Sequence, residues 1–278
     1  MPHENAGPFN EWARRGAGPK MEEAHAHTGR KVLDRLQVGY DEAFIDLGCG
    51  TGWAARYIAE KVPTIGLCVG VDVSEELIKQ ARALASGKYP VKFLVAPFED
   101  VPFGDASFHH AFSMEALYYA KDPLAAAKSA WRLLKPGGSF HFLTDFYPEN
   151  PPSAAWKDDI PVPMHYLREA EWVALFKRAG FAEVASERVF DDRPIPEGLG
   201  FPWGGFKTRE DLHRFRTEYG SLYVSGRKGE GSPGLDPYID HAVESLAAEE
   251  AGEPSPAGPA GGPRKKGRAF PGSRRGKK

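Results

Sequence analysis

Along most of the chain, short apolar runs alternate with longer stretches of helical period. Apolar runs of strand length fall near 43–47, 67–71, 91–95, 108–113, 139–145, 182–190 and 221–227. Helical spacing falls near 53–60, 75–85, 123–134 and 168–179. Strand and helix in alternation predict an α/β fold, a doubly wound, mostly parallel sheet covered on both faces. The PGG sequence at 136–138 reads as a turn feeding the fifth strand. No internal repeat interrupts the pattern.

The first strand-to-helix connection carries the densest signal. It reads FIDLGCGTGWAARYIAE from Phe44 to Glu60, placing Asp46 and the glycines Gly48, Gly50 and Gly52 between an apolar strand and a helix. Glycine lets the backbone come into contact with a ligand there, and the helix that follows offers unpaired N–H groups. A dinucleotide fingerprint needs a third glycine at position 53, where this chain has Trp53. That argues against NAD. Asp72 closes the second strand about 20 residues past Gly52, the offset at which a carboxylate meets ribose hydroxyls in such folds. An adenosine-bearing cofactor is expected.

Four runs in order, DLGCGTG from Asp46, GVDVSEELIKQAR from Gly70, VPFGDASF from Val101 and RLLKPGG from Arg132, resemble the motifs of class I S-adenosylmethionine-dependent methyltransferases, in the methyltransferase type 11-like, small-molecule branch. The resemblance covers roughly 38–180 well and 181–228 loosely. It implies a seven-stranded sheet whose last strand runs antiparallel, with S-adenosylmethionine as cofactor. By position, Asp46, Gly48, Cys49 and Gly50 surround its methionine portion, Asp72 its ribose, and Val73 its adenine, with Gly52 and Ser113 as further cofactor-binding residues. The segment APFED at 96–100 departs from the family, which offers an acid where this chain has Pro97. Phe98 either stacks on the adenine or packs in the core, and Glu99 is a substitute acceptor.

Methyl transfer from a sulfonium needs alignment and desolvation first, and a base only when the acceptor must lose a proton. Acceptor-site candidates sit after the fourth and fifth strands. Glu115 is either a base or cation anchor or a plain loop carboxylate. Tyr118 and Tyr119 either wall the acceptor or pack against Trp131, and Tyr147 is a further candidate. His109 and His110 begin the fourth strand, away from the ligand edge, and are set aside. Residues 1–37, 147–164 and 191–206 lie outside the scaffold and are expected to form a lid, bringing Trp12, Met21, His25 and Arg30 toward the cleft. His25 and His27 at i, i+2 lack the other ligands of a zinc site, so no metal is expected.

Charge and composition adjust this picture at the C-terminus. Net charge is −2, but eight Lys or Arg and no acid follow Pro263, leaving the body at −2 − 8 = −10. Residues 229–278 are rich in Gly, Pro, Ala and Glu and read as mostly disordered, with a short helix across 238–250. The expected division is 1–37 lid, 38–228 methyltransferase domain and 229–278 tail. The acidic body favours a small-molecule acceptor. The alternative is an RNA methyltransferase using the basic tail for nonspecific phosphate affinity, and a third is a cofactor-binding fold without chemistry. No apolar run nears the ~18 residues of a membrane span, and two cysteines without metal spacing suit a reducing, cytoplasmic setting.

Overall fold

The computed structural model describes residues 6–159 and 162–230. Two N-terminal helices, α1 (Ala6–Arg14) and α2 (Ala17–Leu33), precede β1 (Ala43–Leu47), α3 (Trp53–Lys61), β2 (Leu67–Asp72), α4 (Glu75–Ala85), β3 (Lys92–Val95) and β4 (Phe108–Met114). The second half holds α5 (Pro123–Leu133), β5 (Leu134–Thr144), α6 (Trp156–Asp159), α7 (Glu169–Ala179), β6 (Ala182–Val189), α8 (Arg209–Arg214) and β7 (Ser221–Arg227). The strand order is β3-β2-β1-β4-β5-β7-β6, with β7 antiparallel to both neighbours. The order reverses between β1 and β4, so a cleft opens beyond their carboxyl ends, where Gly48 and Glu115 lie.

Two of the helices flanking the cleft start where the sequence supplies a side-chain cap. Ser74 accepts the Leu77 N–H ahead of α4, and Asp122 accepts those of Leu124 and Ala125 ahead of α5. On one sheet face, Phe44 and Phe112 pack beneath Trp53 of α3. On the other, Phe140 stacks on Phe176 at 5.1 Å and Phe142 lies 4.7 Å from Trp172. Burial of each such ring contributes about 1.5–3 kcal/mol, which clamps the sheet that carries the cleft.

Two features differ from the sequence reading. β5 begins at Leu134, before the PGG turn, because Gly137 takes a positive φ of 77° and the Gly137 and Gly138 backbone bonds to Lys228 beyond β7. α8 arises in a stretch without a helical pattern, started by a reciprocal cap between Thr208 and Asp211. Residues 6–37 pack into the same unit as the sheet, and α2 comes close enough that a Cβ on Gly29 would stand 2.4 Å from Trp53. Most of the tail, including the helix expected across 238–250, lies outside the described residues.

Candidate active site

β1 delivers the chain into the cleft and β2 holds it there. The N–H groups of Gly48 and Cys49 both donate to Val71 O, at 2.8 and 2.9 Å, tying the loop to the next strand. Gly50 N donates to Asp72 Oδ2 and Ser74 N to Asp72 Oδ1, each at 2.9 Å. Asp72 thus links the glycine loop to the start of α4 and keeps lone pairs on both oxygens. A Cβ built on Gly50, at φ 54°, meets nothing within 4 Å, so the backbone there borders open space. Asp46 is buried beneath the loop. Burial and the charge of Asp72 push its carboxyl up to about 8. Burial likewise drives the Cys49 thiol well above its usual range.

This cradle forms the floor of an inner chamber, a cavity of about 120 Å³ with an open mouth. Val73, Leu77, Ala96 and Phe98 flank it, and Phe9, Trp12, Met21 and His25 roof it. The roof is pinned at both ends. Ser74 Oγ donates to Asn10 Oδ1 at 2.7 Å, and Glu22 of α2 pairs with Arg56 at 3.0 Å. Through α1 and α2, the described part of residues 1–37 lines this chamber.

An outer chamber adjoins the first and shares Trp12, Ala17, Met21, His25, Glu115 and Tyr119 with it. Trp156, Pro202 and Trp203 complete its walls, so all three segments outside the scaffold reach this space. Trp156 Nε1 donates to Gly205 O at 2.7 Å, joining two of them. Arg193, itself held by Asp191, donates to the carbonyls of Glu23 and Ala24 and joins the third.

Three titratable side chains, His25, Glu115 and Asp145, converge where the chambers share their lining. Glu115 adopts a left-handed φ of 53° just past β4, a strained conformation for a non-glycine residue. Its Oε1 accepts from Asp145 N and its Oε2 from Tyr118 Oη at 3.0 Å. His25 Nδ1 stands 3.2 Å from Asp145 Oδ2, off the hydrogen-bond direction. Burial, together with the Asp145 charge, raises Glu115 to about 8. Burial works against a charged His25, but the carboxylates of Asp145 and Glu115 outweigh it and hold the imidazole above its ordinary value. Burial pushes the Tyr118 and Tyr119 hydroxyls upward.

The remaining sequence candidates divide. Gly48, Cys49, Gly50, Asp72, Val73 and Phe98 line the inner chamber, and Glu115, Tyr118 and Tyr119 line the outer one. Tyr118 packs on Tyr119 and Phe146, not on Trp131. Besides Asp46, buried beneath the loop, and Arg30, whose guanidinium lies over the Tyr57 ring, three candidates are displaced from the chamber walls. Gly52 caps α3, and a Cβ there would lie 2.3 Å from Phe93. Ser113 is fully buried in β4. Tyr147 is fully buried, and its hydroxyl donates to the carbonyls of Tyr219 and Gly220. Glu99, the substitute adenine acceptor, instead receives the Lys121 and Asp122 N–H groups. His109 and His110 sit at the opposite end of β4, bonded to Ala43 N and Glu42. Asp145 was missed as a site residue, although it ends the fifth strand at the ligand edge.

Comparison with known proteins places the cradle in context. A methyltransferase-domain family profile matches residues 45–142. A chain in the solved complex of the Haloferax volcanii Trm112 methyltransferase activator is 36% identical with a TM-score of 0.72, covering 80% of this chain and 97% of that one. Cycloartenol-C-24-methyltransferase 1 of rice is 27% identical over 259 residues, 83% of this chain and 75% of the rice protein. The O-methyltransferase cnsE of Penicillium expansum is 31% identical over 61% of this chain, which spans 60%, less than two thirds, of that relative's length. With the glycine loop, the β2 carboxylate and the reversed seven-stranded order all in place, and similarity sustained across nearly the whole Haloferax chain, this protein belongs to the class I, Rossmann-like S-adenosylmethionine-dependent methyltransferases.

Proposed function

We propose that the enzyme methylates a small molecule seated in the outer chamber. The supporting observation is the continuity of the two chambers across six shared residues, under one roof. In the inner chamber Gly48, Cys49 and Gly50 would face the amino-acid portion of S-adenosylmethionine, Asp72 would accept its ribose hydroxyls, and Val73 and Phe98 would flank the adenine. The bound cofactor supplies an electrophilic methyl group on a good leaving sulfur. Trp12, Met21 and His25 exclude water where the chambers meet, and Glu115 with Tyr118 offers polar contacts there for the nucleophilic end of the acceptor. Trp12, Tyr119, Trp156 and Trp203 suit a flat, largely apolar body.

An RNA acceptor finds less support. Lys20 is the one Lys or Arg among the residues lining the outer chamber, whereas RNA binding draws on many phosphate contacts. The test is transfer of labelled methyl from S-adenosylmethionine to cell extract separated into metabolite, RNA and protein fractions. Label in the metabolites is expected, and label confined to RNA would overturn the assignment. The similarity to a chain solved with a Trm112 activator also leads us to propose a partner of that kind. Co-expression should yield a co-eluting complex, and separate elution would remove the proposal. Among the described residues no helix is long and apolar enough to cross a membrane, and the two free, buried cysteines suit the cytoplasm.

A further inference from the structure

The region where the chambers share their lining holds more buried polar chemistry than methyl transfer requires. His25, Glu115 and Asp145 come from α2, the turn after β4 and the end of β5, and each is more than nine-tenths buried. One donor atom from each lies within 4.8 Å of the other two. Two atoms of this set, His25 Nδ1 and Asp145 Oδ1, are buried with no hydrogen-bond partner. Unpaired buried polar atoms are costly, and two in one cluster beside a cavity call for a ligand. Within the cluster the one cationic partner of the carboxylates is His25 itself, whose Nδ1 lies 3.2 Å from Asp145 Oδ2. Arg193 acts on His25 from a distance, but its guanidinium is committed to Asp191 and to the carbonyls of Glu23 and Ala24.

We propose that His25, Glu115 and Asp145 form a site for one divalent first-row transition ion. The imidazole selects this class over magnesium or calcium, which prefer all-oxygen shells. Metal–ligand bonds of ~2.0–2.2 Å place tetrahedral ligand atoms ~3.3–3.6 Å apart, so the three side chains must close by up to ~1.5 Å to share an ion. Glu115 is already oriented by Tyr118 Oη and Asp145 N, as a metal-binding carboxylate requires. His25 and Glu115 line both chambers, which leaves the open side of the ion for an acceptor oxygen. The ion would bridge the lid to the body, because His25 belongs to α2 and its partners to the sheet. This replaces the expectation of no metal drawn from the His25–His27 spacing, since the other two ligands lie about 90 and 120 residues away in the chain.

The use of the ion rests on the small-molecule reading, but its binding is tested without an acceptor. Tag-free full-length protein, dialysed against chelator, would be titrated with Co²⁺ while visible absorption and heat are recorded. One ion per chain is expected. His25→Ala, Glu115→Gln and Asp145→Asn should each weaken it roughly tenfold or more. His27→Ala should leave it unchanged, because His27 belongs to a separate, more exposed cluster with Asp191 and Asp192. Circular dichroism shows which variants fold, and His25→Ala, on the covering helix, keeps the test informative if a sheet variant does not. No saturable binding to the wild type, or binding unaffected by any of the three changes, overturns the site. A separate titration of wild type with S-adenosylhomocysteine keeps the outcomes distinct: cofactor product bound without Co²⁺ removes the metal alone, and Co²⁺ bound without cofactor product removes the methyl-transfer reading alone.

Discussion

Replacing Gly50 and Gly52 in turn by alanine separates the ligand-facing part of the glycine loop from its packing. Both residues have positive φ, 54° and 76°, so each alanine carries the left-handed penalty of roughly 1–2 kcal/mol. The spaces around them differ. A Cβ on Gly50 meets nothing within 4 Å, so Gly50→Ala should lose only that amount from a total stability of roughly 5–15 kcal/mol and remain folded. Its methyl intrudes on the cradle, and overpacking a ligand there costs about 1–3 kcal/mol, or roughly 5- to 150-fold in affinity. A Cβ on Gly52 stands 2.3 Å from Phe93 Cε1 and 3.2 Å from Ala81 Cβ, inside the core. Gly52→Ala should therefore lose about 2–5 kcal/mol of stability, the sum of both penalties, with little change in affinity for the fraction that folds. Urea melts and calorimetric titration with S-adenosylhomocysteine measure the two quantities. Wild-type affinity in a folded Gly50→Ala protein would refute the placement of the cofactor against this loop.

Tyr147→Phe should cost about 0.5–1.5 kcal/mol in a urea melt, from the bonds to Tyr219 and Gly220, and leave cofactor-product affinity unchanged, since the residue lines neither chamber. The raised Asp46 pKa makes a pH prediction. Below its unfolded pKa the carboxyl is neutral in both states; above it the unfolded chain ionises first, so this group removes stability until the folded form also ionises near 8. Asp46→Asn should match the wild type near pH 3.5 and exceed it by a margin that grows toward pH 8; a constant margin in melts across that range would contradict the shift. Hydrogen exchange in α1 and α2 should slow on adding S-adenosylhomocysteine, because both helices roof the inner chamber, and unchanged exchange at saturation would make them static cover.

The scaffold was legible because its signals are local. α4 and β7 have the bounds their periodicity predicts, and β1 ends where its apolar run meets the glycines. The cofactor half of the site was legible for the same reason, being built within one strand–loop–helix unit and the end of the next strand. The acceptor half was legible only in part, in Glu115, Tyr118, Tyr119 and the lid residues Trp12, Met21 and His25. His25 and Asp145 are 120 positions apart and meet only because α2 folds back across the sheet, a consequence of tertiary packing at Gly29 and of the Asn10 and Glu22 contacts. Tyr147 reads like a site residue in sequence, at a strand end beside Asp145, and turns inward because its hydroxyl finds two carbonyls at the start of β7. α8 had a local signal after all, the Thr208–Asp211 spacing of a reciprocal cap, though only six residues follow it.

A crystal structure grown with saturating S-adenosylhomocysteine tests the central claim most directly, because the claim fixes both the place and the direction of the cofactor. The ribose should lie against Asp72, the adenine between Val73 and Phe98, and the sulfur should face the passage bordered by His25, Glu115 and Tyr119, with the outer chamber open before it. A ligand bound elsewhere, or one whose sulfur turns away from that passage, would contradict methyl transfer between the two chambers.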